Sequence, residues 1–533
     1  MPEYLPTLHE LGASDKFTRW WPNQERAILQ AVDSPKRFVA LCLPVGFGKS
    51  PIAIGRAVMS GARTIYLTST KGLQDQVYGD FNALGLADVR GQENYQCLQH
   101  QQFGIANAIP VSAAPCHAGV TCPIKESTCT YYKAVREARQ STLTESNYPY
   151  WMLQNLYGDG LGKFDLMVCD EVHQLTEEVC NILSTTIHKH EVEAILGSAF
   201  PHIHASMNHW RGWAGALSKK LDYQIADMKE AICIYINEGE FDVAHQMGKR
   251  LWERKDLKRR LDTLAGAKGD WVAEMHGESM TWDAVWPQEY TENMLFWHIP
   301  KILLMSATMT PKTLELAGVA EDQYEFIEYP SPFPVKVRPF YCVANSTRMN
   351  KNTDEEGYRN WLTQIDQFIS KGRIDRKGII HTVSYKRAQM VMEKSEFRKY
   401  MLSHNSRNTR AMVEAFRKSS APCIMVSPCL DTGYDFPNSQ ARWQIIGKLP
   451  WPDTRSIVMQ ARKKMDEDYM AHLTMQTLQQ TYGRIVRGPG DWGETICLDA
   501  SIAWFMRIYG HFANSWFKEA IQWRNTIPEP LNL

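Results

Sequence analysis

Short, almost wholly apolar runs recur along the chain. Each is closed by a glycine, hydroxyl or acidic cluster. The clearest occupy residues 37–43, 63–70, 164–169, 301–308, 378–384, 422–427, 442–450 and 494–499. Runs this short, apolar at every position, predict strands buried on both faces, as in parallel sheets. Between them, residues 24–32, 51–59, 72–81 and 129–139 carry helical periodicity. The alternation predicts an α/β fold in two related units, the second beginning near residue 335. Residues 177–272 are mostly helical in pattern. Residues 271–282 alternate around a His-Gly pair and predict a hairpin.

The first apolar run ends in Pro44-Val-Gly-Phe-Gly-Lys-Ser50 and leads into a helix. Strand, glycine loop, Lys-Ser and helix form a P-loop. Backbone N–H groups of Val45, Gly46, Phe47 and Gly48 would wrap phosphates, aided by the helix N-terminus. Lys49 would hold the β- and γ-phosphates and Ser50 a Mg²⁺ ion. The run at 164–169 meets Asp170-Glu-Val-His173. Here Asp170 would reach the Mg²⁺ and Glu171 would take the proton of an attacking water. His173 would couple the nucleotide state to neighbouring motifs.

The chain has 533 residues, zero formal net charge and a pI near 7.2. That length suits about three domains. The balanced charge excludes a wholesale polyanion binder, so nucleic-acid contacts would use local patches. No apolar run reaches about 18 residues, which predicts no membrane span. The opening residues are no signal peptide, and a cytoplasmic location is expected. Twelve cysteines in such a chain argue against a disulfide scaffold. Four of them, Cys97, Cys116, Cys122 and Cys129, fall within 33 residues that lack the apolar content for a core. A metal centre would supply what burial cannot. Their wide gaps fit zinc knuckles poorly and an iron–sulfur cubane better. Buried free thiols and disulfides are the plainer alternatives.

Other positions stay open on sequence alone. Gln24, in a first helical turn, stands where helicase-type ATPases keep an adenine-reading glutamine, or is a plain helix-start residue. The hydroxyls and amides of Thr68, Thr70 and Gln76, and Thr382 in the second unit, suit phosphate-backbone contacts or helix capping. Gln480, Arg484 and Arg487 fall at i, i+4 and i+7 and predict one helix face. That face would reach a γ-phosphate across a cleft, or be solvated. The basic stretch 246–260 around Trp252 would line a strand channel or be a solvated face.

The ordered set of motifs resembles the superfamily 2 iron–sulfur helicases, the XPD/DinG-like group, with the DinG branch nearest in look. The P-loop, Thr68-Ser-Thr70, Cys97 with its three later cysteines, Asp170-Glu-Val-His173, Ser306-Ala-Thr308, Gly433-Tyr-Asp435 and Gln480 to Arg487 carry the resemblance. It implies two RecA-like P-loop NTPase lobes with an inserted iron–sulfur domain and an inserted helical arch. The expected division is 1–90, 146–176 and 273–325 for lobe 1, 91–145 for the cluster domain, 177–272 for the arch and 326–533 for lobe 2. It implies ATP, Mg²⁺ and a [4Fe–4S] cluster as cofactors, with Gly433 and Asp435 at the nucleotide and Ser306 and Thr308 in coupling. It also implies a monomer that moves 5′→3′ on single-stranded DNA and unwinds forked DNA, the cluster domain serving as a wedge.

Leu43, Val45, Val172, Pro428 and Thr432 depart from the group's usual residues. Two rivals remain: an ATP-driven translocase or remodeler that separates no strands, and a zinc-bearing nucleic-acid-binding scaffold.

Overall fold

The computed structural model describes residues 4–101, 107–114, 116, 121–202, 205–428 and 434–533. Strands β1 (Phe38–Cys42), β2 (Thr64–Thr68), β3 (Ala87–Asp88), β4 (Leu143–Asn147) and β5 (Leu166–Cys169) come first. Next are β6 (Thr185–His188), β7 (Trp271–His276) and β8 (Ser279–Ala284), then β9 (Lys301–Ser306) and β10 (Tyr324–Glu328). Seven of these make a parallel sheet in the order β10-β1-β9-β5-β2-β4-β3. Every residue of β1, β2 and β5 is buried, as their apolar runs require.

A second seven-stranded parallel sheet follows. Its strands are β11 (Phe340–Val343), β12 (Gly378–His381), β13 (Met401–Ser403), β14 (Ile424–Ser427), β15 (Trp443–Ile446), β16 (Glu494–Cys497) and β17 (Ile521–Arg524). They lie in the order β13-β14-β12-β15-β16-β11-β17. The two sheets with their helices are two α/β lobes that resemble RecA-like helicase domains.

Between β5 and β9 the chain builds a separate body. Helices Met207–Asn237 and Phe241–Ala265 pack along each other around Leu217, Leu221, Leu251, Leu257 and Leu261. At their base lies the antiparallel sheet β6-β8-β7. The hairpin expected at 271–282 is β7 and β8, and it pairs with β6 rather than with the first lobe. The return to lobe 1 expected at 273 therefore falls after Ala284. Much of the basic helix is neutralised within this body: Arg260 pairs with Glu191 at 2.8 Å and Lys258 with Asp262 at 2.8 Å. Trp252 is exposed.

Among the described residues no helix is long and apolar enough to cross a membrane.

Candidate functional site

The P-loop runs from the end of β1 into helix Lys49–Ser60. Gly48 has φ +85°, and an added Cβ there would fall 2.4 Å from Gln24 Nε2. Only glycine meets both demands. Gln24 is buried. Its amide donates to Phe47 O at 2.7 Å and accepts from Trp21 N at 2.7 Å. It braces the loop from outside.

Lys49 Nζ lies 2.8 Å from Glu171 Oε1, inside the loop's mouth. Glu171, at φ +52°, donates its backbone N–H to Asp170 Oδ1 at 2.9 Å, and Tyr66 OH donates to Asp170 Oδ2 at 3.3 Å. Ser50 stands beside the same Tyr66 hydroxyl. Ser50 and Asp170 thus sit at one place, as a shared Mg²⁺ would need. Tyr66 reads as a core residue in its strand, and no sequence signal marked it.

Burial pushes the Asp170 carboxyl up to about 6, against the pull of Lys49. Burial would raise Glu171 as well, but Lys49 and His173 outweigh it and hold Glu171 below the usual carboxylate range. Burial opposes the Lys49 ammonium, yet Glu171 and Asp170 raise its pKa on balance, while Arg487 works against it. An arginine of the second lobe is therefore close enough to be felt at the P-loop lysine.

A polar chain links the lobes. His173 Nδ1 is 3.0 Å from Ser306 Oγ and 3.3 Å from Glu171 Oε2. Gln480 Nε2 donates to Thr308 Oγ1 at 3.0 Å and stands 3.5 Å from His173 Nε2. Asn514 of the second lobe donates to Met309 O at 2.9 Å, and Trp516 Nε1 to Ala307 O at 2.9 Å.

Three expectations need correction. Gln480, Arg484 and Arg487 do not share a helix face. The helix Tyr469–Tyr482 stops at Gly483, where a Cβ would meet Val45 of the P-loop at 2.4 Å. Arg484 turns inward, buried, and donates to Tyr434 O. Arg487 lies beyond the helix and pairs with Asp435. Thr68 and Thr382 are fully buried, their hydroxyls directed at carbonyls of Thr70 and Ser146 and of Ser384 and Ser427. Neither meets solvent, so neither is placed for a phosphate. Thr70 caps helix Lys71–Phe81 through Leu73 N at 3.2 Å. Gln76 is exposed on that helix. Gly433 lies outside the described residues.

The eleven described cysteines are free thiols. Cys97 and Cys129 are buried, Cys116 and Cys122 half-buried, in a segment of turns. Burial pushes the Cys116 thiol up to about 12, and Cys122, Cys97 and Cys129 add to the shift. The four sulfurs thus lie near one another. Among the described residues no group of three or more His, Cys, Asp or Glu is arranged to hold a metal ion.

Residues 372–519 match the family model of the helicase C-terminal domain. That match covers most of the second lobe. No curated protein matches the chain. The fold is similar to that of a solved XPD helicase, with TM-score 0.59 and 13% identity over 94% of this chain and 99% of that one. S. tokodaii Xpd4 matches with TM-score 0.58 and 15% identity over 94% and 99% of the two chains. At these identities the likeness is one of fold, and it spans both lobes and the body between them.

Proposed function

We propose that the chain is an ATP- and Mg²⁺-dependent DNA helicase that moves 5′→3′ on single-stranded DNA and opens forked duplexes. The observation that carries this reading is the bridge from Gln480 to Thr308 and His173. It joins the second lobe to the segment that follows Glu171, so nucleotide state and lobe position would change together.

In this reading the loop 45–50 and Lys49 bind the phosphates. Ser50 and Asp170 hold Mg²⁺, and Glu171 receives the proton of the attacking water. Lys49 leaves Glu171 for the phosphate when ATP enters. Arg487 leaves Asp435 to steady charge on the γ-phosphoryl group, and buried Arg484 keeps the turn in place. Gln76 and Thr70 meet the DNA backbone. Residues 91–145 form a cluster domain in which Cys97, Cys116, Cys122 and Cys129 would hold a [4Fe–4S] cluster. The cluster would supply rigidity to a wedge. The helical hairpin after Glu177 is the arch, and 326–533 is the second lobe.

Steady-state hydrolysis with and without single-stranded DNA tests the reading. Stimulation of ATP turnover by the strand is expected. Turnover indifferent to DNA would oppose it.

A further inference from the structure

The chain leaves the first lobe for the helical body through helix Leu175–Leu183 and returns at Val285-Trp286, just after β8. The two crossings lie side by side, joined by Ser184 Oγ donating to Asp283 Oδ1 at 2.6 Å. Both crossings meet one residue of the second lobe. Arg462, on helix Ile457–Met465, is fully buried. Its Nε donates to Val285 O at 2.7 Å, and its Nη1 to Tyr469 OH at 3.0 Å and to the Glu177 carboxylate. The guanidinium lies 5.5 Å from the Trp286 ring centroid, and that ring meets Tyr469 edge to face at 5.0 Å. The same helix lies against β7, the outer strand of the sheet β6-β8-β7, and so covers an edge that would otherwise be open.

The first lobe holds the body by lighter contacts. Tyr157 OH is 3.0 Å from Thr263 Oγ1, and Trp271 Nε1 donates to Tyr290 OH at 3.0 Å. These join neutral groups at half-buried or exposed positions, where water replaces a partner at small cost. Trp271 also packs on the margin of the first lobe's core. Lys312 of the first lobe reaches Asp466 of the second at 2.8 Å, a pair of half-buried side chains that water partly screens. Parting Arg462 from its partners would strip a buried guanidinium of a carbonyl, a carboxylate and a hydroxyl, and would open the Trp286–Tyr469 contact. Two adjacent chain crossings form a hinge, so a shift of one lobe against the other would break the lighter contacts first.

We infer that the helical body moves with the second lobe and that Arg462 is the positioning residue that ties them, so a nucleotide that shifts the lobes swings the body about its two crossings. The swing rests on the link between nucleotide state and lobe position proposed above; the clamp at Arg462 does not.

Spin-label pairs on the full chain, read as distances by pulsed electron paramagnetic resonance, test this. Cys233, exposed on the helical body, is one site. Gln323→Cys on the first lobe and Lys418→Cys on the second, both at exposed positions, are the others. Cys233→Ser carries the pair between the lobes and, without added cysteines, supplies the background. With a non-hydrolysable ATP analogue and Mg²⁺, the Gln323–Lys418 and Cys233–Gln323 distances should shift while Cys233–Lys418 stays. Arg462→Ala, and more mildly Glu177→Gln, should broaden the Cys233–Lys418 distribution even without nucleotide. A Cys233–Gln323 distance that holds while Cys233–Lys418 shifts, or an unbroadened Cys233–Lys418 distribution in both variants, would overturn the inference. A Gln323–Lys418 distance indifferent to nucleotide would instead remove the reading beneath the swing, and the two variants would then decide the clamp alone.

Discussion

Gln480 of the second lobe donates a hydrogen bond to Thr308 of the first at 3.0 Å, with His173 3.5 Å from the same amide nitrogen. His173 in turn lies 3.3 Å from the Glu171 carboxylate. Three residues thus connect the candidate base to a helix of the other lobe. Gln480→Ala should leave ATP binding intact and weaken stimulation by DNA. The measurement is the ratio of ATP turnover with and without single-stranded DNA. A fall of up to roughly tenfold, about 1.4 kcal/mol, is the scale of one lost hydrogen bond between neutral groups.

Lys49→Ala and Glu171→Gln should both stop turnover, for different reasons. The first removes the cation for the phosphates, the second the proton acceptor, a role worth about 10²–10⁴-fold. Nucleotide binding read by fluorescence separates them. Binding should fail in Lys49→Ala and persist in Glu171→Gln.

Cys116→Ser should cost iron and visible colour while sparing much of the ATPase. Cys116 is half-buried among Cys97, Cys122 and Cys129, well away in sequence from the P-loop. Iron analysis and unwinding on one sample check this. A chain purified without air that holds zinc and no iron would contradict the cluster.

Glu145 gives a pH prediction. It lies buried on β4, opposite Tyr66 and Asp88, with neither carboxylate oxygen hydrogen-bonded among the described residues. Burial, then Asp88, pushes its carboxyl up to about 9. The folded chain therefore keeps a proton that the unfolded chain releases above about 4.3. Stability should fall as pH rises from that value toward 9, by up to about 1.4 kcal/mol per unit from this group. Glu145→Gln should raise Tm more at pH 8 than at pH 5. An equal shift at both would refute the assignment.

The strands visible in the sequence were those whose burial on both faces makes them apolar throughout, such as β1, β5, β9 and β12. Strand β4, Leu-Thr-Glu-Ser-Asn, is as buried but polar, and nothing in its residues announces a strand. Likewise Lys49, Asp170 and Glu171 meet as their motifs required. The shared face of Gln480, Arg484 and Arg487 failed because the helix ends at Tyr482, before either arginine. Thr68 and Thr382 failed because their hydroxyls turn to nearby carbonyls.

Strand release from a forked duplex, with Mg²⁺ and with either a 5′ or a 3′ single-stranded tail, tests the central claim most directly. ATP-dependent release of the fork bearing the 5′ tail, abolished by Lys49→Ala, is the predicted result. ATP turnover that releases no strand from either fork would contradict it.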